Sequence, residues 1–167
     1  MTISTIDKET FQLNNETREI IARLLYSSSA FNEAVIEIGE SFMLQLIATG
    51  IWITSFTEDT KEKIISKIKV ETGGTMSIRG FYKRRKYTFK RSANFKLRFS
   101  LFNSEGEDML TLIPRVNWQK QSYDFVLQLN EEFEKECNAF LILQALHCAN
   151  CSLSMMHGGN VPALISV

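Results

Sequence analysis

The sequence predicts an α+β fold: N-terminal helices, an antiparallel β-meander of about four to five strands, and a long apolar C-terminal helix. Three observations lead there. Apolar residues in the first third recur at intervals of three and four, the period drops to two after residue 75, and residues 139–156 carry no charge.

The N-terminal part supplies three helix signals. Asn14 or Asn15 can cap a short helix through Tyr26, with Glu16 and Glu19 in its first turns. Ser29 can cap a second, in which Phe31, Val35, Ile38, Phe42, Leu46 and Thr49 form one stripe and Gly50 is the stop. Thr57 can cap a third. Glu58 and Asp59 open it, Lys61, Lys63, Lys67 and Lys69 follow in the order that suits the helix dipole, and Gly73–Gly74 closes it. Between the second and third helices, residues 51–54 read as a short strand or a buried linker.

Strand signals then take over. Phe95, Leu97, Phe99 and Leu101 alternate with Lys96, Arg98 and Ser100, the cleanest period-two run in the chain. A turn at Asn103, Ser104, Glu105 and Gly106 leads into 109–116, where Pro114 argues for an edge or a strand end. Tyr123, Phe125, Leu127 and Leu129 form a further apolar face, and 76–82 and 85–90 are weaker strands. Asn130 is the expected cap of the last helix, with Glu131 and Glu132 in its first turn and Gly158–Gly159 at its end. Its later part is apolar on every side, which predicts burial all round.

These signals describe a single domain, 1–167. It divides into a helical part (1–72), a sheet (75–129), a buried helix (130–157) and a tail (158–167). Twelve Phe and two Trp supply enough apolar surface to exclude disorder, and eight Gly with two Pro exclude collagenous and low-complexity classes. Cys137, Cys148 and Cys151 are an odd set and the first residues lack a secretory core, so reduced thiols in the cytoplasm are expected. Residues 41–57 and 139–156 are uncharged and about as long as the shortest membrane span, roughly 17 residues. Both contain polar side chains and lack flanking Lys/Arg clusters, so they read as buried segments of a protein without membrane contact.

The 19 bases and 19 acids cancel overall but not locally. Residues 1–78 hold 11 acids and seven bases, residues 79–98 nine bases and no acid, and residues 99–167 eight acids and three bases. The middle ribbon carries Arg79, Lys83, Arg84, Arg85, Lys86, Lys90, Arg91, Lys96 and Arg98, interleaved with Phe81, Tyr82, Tyr87, Phe89 and Phe95. Cations so concentrated repel one another unless an anion compensates them. Phosphates do so with release of counterions, and exposed rings add stacking on bases.

The expected function is therefore non-enzymatic binding of nucleic-acid phosphates. Arg79, Lys83, Arg84, Arg85, Lys86, Lys90 and Arg91 would make the backbone contacts, with Tyr82 and Tyr87 as stacking platforms. The alternative is a structural or assembly protein, in which the same ribbon meets an acidic partner or the acidic 131–136 region of another copy. An enzyme, above all a metal-dependent nuclease, stands third. No GxxxxGK[ST], GxGxxG, HExxH or GxSxG motif is present, and no cofactor is implied. His147, Cys148, Cys151 and His157 suggest zinc by type. However, adjacent helix positions diverge by about 100° and there is no second CxxC pair, so no metal site is expected.

Antiparallel strands running into a late, nearly all-apolar helix resemble the tubby and scramblase-like barrels. The likeness covers residues 75–157, rests on the order of elements rather than on a motif, and implies a helix threaded through a barrel. It carries no functional residue across.

Overall fold

A computed structural model describes residues 1–27, 31, 33–39, 42–50, 53–58, 64–80, 85–92, 96–131, 133 and 138–156, with the backbone alone described along 42–58. Its strands are β1 (Thr2–Thr5), β2 (Thr10–Asn14), β3 (Ile20–Tyr26), β4 (Glu33–Ile38), β5 (Phe42–Gly50) and β6 (Ile53–Glu58). They continue as β7 (Ile64–Val70), β8 (Met76–Gly80), β9 (Lys86–Arg91), β10 (Phe99–Phe102), β11 (Asp108–Asn117) and β12 (Ser122–Leu129). Every strand pairs antiparallel with its neighbours in sequence. Pairing of β1 with β12 at Ile3 and Phe125 closes the described strands into a twelve-stranded barrel. Glu131 and Phe133 are helical after β12, and a long helix, α1 (Ala139–Met156), follows.

The helix fills the barrel. About eight strands close around their own side chains, and a larger number leaves a bore. A helix of roughly 10–12 Å diameter is the element that occupies it. Leu141 to Asn150 are buried without interruption, and α1 packs against β3, β4 and β11. The strands answer with alternate side chains: Phe11 and Leu13, Ala22 and Leu24, Met76 and Ile78, Phe99 and Leu101, and Leu110 and Leu112 are all buried. Phe89 stacks on Phe99, ring centres 5.7 Å apart, as part of the same layer. By length and composition α1 would also cross a membrane, and 72% of it is enclosed by the protein.

The expected N-terminal helices are not formed, and the meander is far longer than four to five strands. The segment expected as the first helix makes the end of β2 and the whole of β3. The second becomes β4 and β5, with its proposed cap Ser29 outside the described residues. The third contributes the end of β6 and β7, and Lys61 and Lys63 lie outside the described residues.

The misreading has a physical source. These strands are apolar on both faces: Ala22 and Leu24 point into the core while Ile21 and Leu25 are half-buried on the outside. Such a run satisfies a helical stripe as well as a strand, and pairing with distant residues decides between them. The cap signals misled for a related reason, because an Asn that caps a helix also closes a hairpin. Asn15 Oδ1 accepts from the Glu19 amide at 2.8 Å, and Arg18 takes a left-handed φ of 67°. The loop after β10 repeats this device: Asn103 Oδ1 accepts from the Glu107 amide at 2.9 Å and Gly106 has φ 84°.

Gly73 and Gly74, expected as a helix stop, instead turn β7 into β8 through a 3₁₀ turn, with φ of 75° and 76°. Glu131 and Phe133 are helical directly after Asn130, and Asn138 Oδ1 then accepts from the amides of Phe140 and Leu141 at 3.0 and 3.3 Å, so α1 begins at Ala139. Residues 132 and 134–137 and the 158–159 stop lie outside the described residues. Pro114 sits beyond the last β10–β11 pair, Phe99 with Leu112, so at that point β11 has a paired strand on one side only. That is the environment a missing N–H requires.

Candidate nucleic-acid interface

The basic ribbon becomes the outer wall of β8 and β9, flanked by β7. Period two turns Ser66 and Ile68, Met76 and Ile78, and Tyr87 and Phe89 toward the core. The intervening positions face outward: Lys67 and Lys69 on β7, Ser77 and Arg79 on β8, Lys86, Thr88 and Lys90 on β9. Register then adds what one strand cannot show. Lys67 is paired with Arg79, and Arg79 with Lys86, so three cations stand directly opposite one another across three strands.

The next row is polar: Lys69, Ser77 and Thr88 occupy it. Here Glu71 accepts from Lys69 at 3.3 Å and from Ser77 at 3.1 Å. The Lys69 and Ser77 hydrogen bonds hold its carboxyl below the usual range, helped by the fields of Lys69 and Lys86. Lys90 lies over the Phe102 ring, 5.6 Å from its centre.

Arg79, Arg85, Lys86, Lys90, Arg91, Lys96 and Arg98 are all exposed. Arg23 pairs with Glu37 at 3.6 Å and Lys69 with Glu71 at 3.3 Å. The Arg85 carbonyl accepts from the Gly80 amide at 3.0 Å and closes the β8–β9 loop. Lys90 and Arg91 lie at the opposite end of β9 from Lys86. Tyr87, expected as a stacking platform, instead packs against the core. Tyr82, Lys83 and Arg84 lie outside the described residues, as do Phe81 and Phe95.

Lys67 is the member of the row that the sequence reading missed, because it was assigned to a helix end. Its signal was present in the alternation of Lys67, Ile68, Lys69 and Val70.

The histidine and cysteines form a different centre, inside the barrel. Asn150 Nδ2 donates to the Tyr26 hydroxyl at 3.3 Å, and that hydroxyl is hydrogen-bonded to His147 Nδ1 at 3.0 Å. Cys151 Sγ lies 3.5 Å from His147 Nε2. Burial pushes the imidazole down to about 3 and the Cys151 thiol up to about 12. Both groups are neutral at pH 7, the reverse of the thiolate–imidazolium pair that a cysteine nucleophile needs. On the neighbouring turn, Ser66 donates to Gln144 at 3.1 Å. Among the described residues no three His, Cys, Asp or Glu side chains converge as a metal site would require, and His157 and Cys137 lie outside them. Compared with models of protein families, with curated proteins and with solved structures, the chain matches none.

Proposed function

We propose that this is a non-enzymatic binding protein whose β7–β8–β9 wall engages nucleic-acid phosphates. The observation that carries the reading is the aligned row Lys67, Arg79 and Lys86. Like charges directly opposite on a sheet destabilise it, and a polyanion laid across the strands relieves that repulsion. At about 4.8 Å between strands the row spans about 10 Å. Over that length one strand of a duplex presents about three phosphates, at roughly 3.4 Å each. With Tyr87 turned inward, the reading rests on phosphate contacts rather than stacking. Contacts of this kind position a nucleic acid without reading its sequence.

Anisotropy titration of a labelled duplex and a labelled single strand tests the proposal. Three phosphate contacts give a log–log salt slope of about −2.7, a loss of roughly 40-fold in affinity between about 50 and 200 mM salt. The triple variant Lys67→Gln/Arg79→Gln/Lys86→Gln should flatten that slope toward zero while keeping its circular dichroism and elution volume. Failure of the wild type to bind either oligonucleotide at low salt overturns the reading. So does an unchanged slope in the variant. If the variant changes oligomeric state instead, the wall joins copies of the chain.

A further inference from the structure

The end of the barrel where α1 finishes carries a second feature, separate from the cationic row. There the β7–β8 turn, the last residues of β9 and the end of the helix enclose an open pocket of about 390 Å³. Gly73 and Gly74 line it with bare backbone, Lys90 and Arg91 with cationic side chains, and Met155 and Met156 with thioethers. The two methionines are 48% and 42% exposed, which leaves thioether surface in water at the mouth of a cavity. Both left-handed glycines are needed for this shape, since a side chain at either φ is disfavoured.

We infer that this pocket binds a small organic anion, a carboxylate or phosphate monoester joined to a short apolar body, whose head sits on Arg91 and Lys90 and whose body covers Met155 and Met156. Size and chemistry both point there. At about 390 Å³ the pocket lies at the small end of the range for small-molecule sites. Two cations line the pocket, and among the described lining residues none is an acid. A bare inorganic anion would leave the methionines wet, and a neutral apolar molecule would cover the Arg91 guanidinium without an anion, Lys90 already lying over the Phe102 ring. An amphipathic anion satisfies both halves. The volume suits a free small molecule rather than a polymer, so the site is independent of the proposed nucleic-acid wall.

Hexyl phosphate, inorganic phosphate and 1-hexanol, titrated calorimetrically, provide the test. Hexyl phosphate should bind at least about tenfold more tightly than either partial ligand, and Arg91→Gln should weaken it by about tenfold or more, the loss of one charge-assisted hydrogen bond. Met155→Gln/Met156→Gln should weaken hexyl phosphate but leave inorganic phosphate unchanged. The triple variant of the outer wall should bind hexyl phosphate like the wild type, which separates this site from the other proposal. Methyl resonances of Met155 and Met156 in the wild-type protein should shift on titration, a readout that needs no variant. Equal affinity for phosphate and hexyl phosphate, or unmoved methionine signals, overturns the inference. A lower melting temperature for Arg91→Gln with unchanged ligand affinity also overturns it. That result would assign Arg91 to the carbonyls at the end of α1, whose own last turn carries no base. Sedimentation with anionic vesicles that Arg91→Gln abolishes would overturn the assignment to a free ligand.

Discussion

Acidification should act on this protein through His147 before it acts on the carboxylates. The imidazole is enclosed by the barrel, shares a hydrogen bond with Tyr26 at 3.0 Å, and faces Asn150 and Cys151, none of which can stabilise a positive charge by ionising near neutral pH. Its folded value is held down to about 3 against an ordinary 6.5. Because the folded value is depressed, the unfolded chain binds the extra proton. Stability is therefore full above pH 6.5 and falls as pH drops from there toward 3. Each unit of that interval removes about 1.4 kcal/mol, so the step from pH 7.5 to 5.0 removes about 2 kcal/mol.

Tyr26 and the buried thiols do not interfere, since burial moves all of them upward and away from this window. The assay is urea unfolding at several pH values, followed by far-ultraviolet circular dichroism, on the wild type and on His147→Gln. Glutamine keeps an acceptor for Tyr26 but cannot take up a proton. With an m-value of about 2 kcal/mol/M, the wild-type midpoint should fall by about 1 M more than that of the variant. The other histidine, His157, is common to both proteins and cancels. Parallel pH profiles would refute the reasoning, as would a resonance of His147 titrating above pH 5 in the folded protein.

Three further outcomes follow from particular contacts. Asn138→Ala leaves the amides of Phe140 and Leu141 without their acceptor and should lower unfolding free energy by about 1 kcal/mol, whereas Asn138→Asp should be nearly neutral. Phe89→Ala empties a fully buried site in the layer shared with Phe99 and should cost about 3–5 kcal/mol in the same urea assay. On a Cys137→Ser background, Cys151 should react with a disulfide reagent at pH 8 roughly a thousandfold more slowly than in urea, because so little of a thiol raised to about 12 is thiolate. Fast native labelling would contradict the desolvation of the half-buried Cys151 thiol beside His147.

Local signals located some parts of the molecule. The alternation along Tyr123 to Leu129 is visible in the residues themselves and is a strand, whereas of the run from Phe95 to Leu101 the strand takes only Phe99 onward and 96–98 stay outside it. The uncharged run 139–156 becomes a helix buried for most of its length, because a surface apolar on every side has no stable place in water. The clustering of bases at 79–98 was equally plain, and seven of the nine cations are described and exposed.

The sequence by itself thus determined which residues avoid water, where the period is two in the later half, and where positive charge is concentrated. Only the tertiary structure decided that the first third is strand, since residues apolar on both faces fit either period and choose by pairing with segments far away in the chain. It alone also decided that Lys67, Arg79 and Lys86 share a row and that Tyr26 meets His147 across 121 residues. Register and barrel closure are set by contacts between distant residues, and no local propensity encodes them.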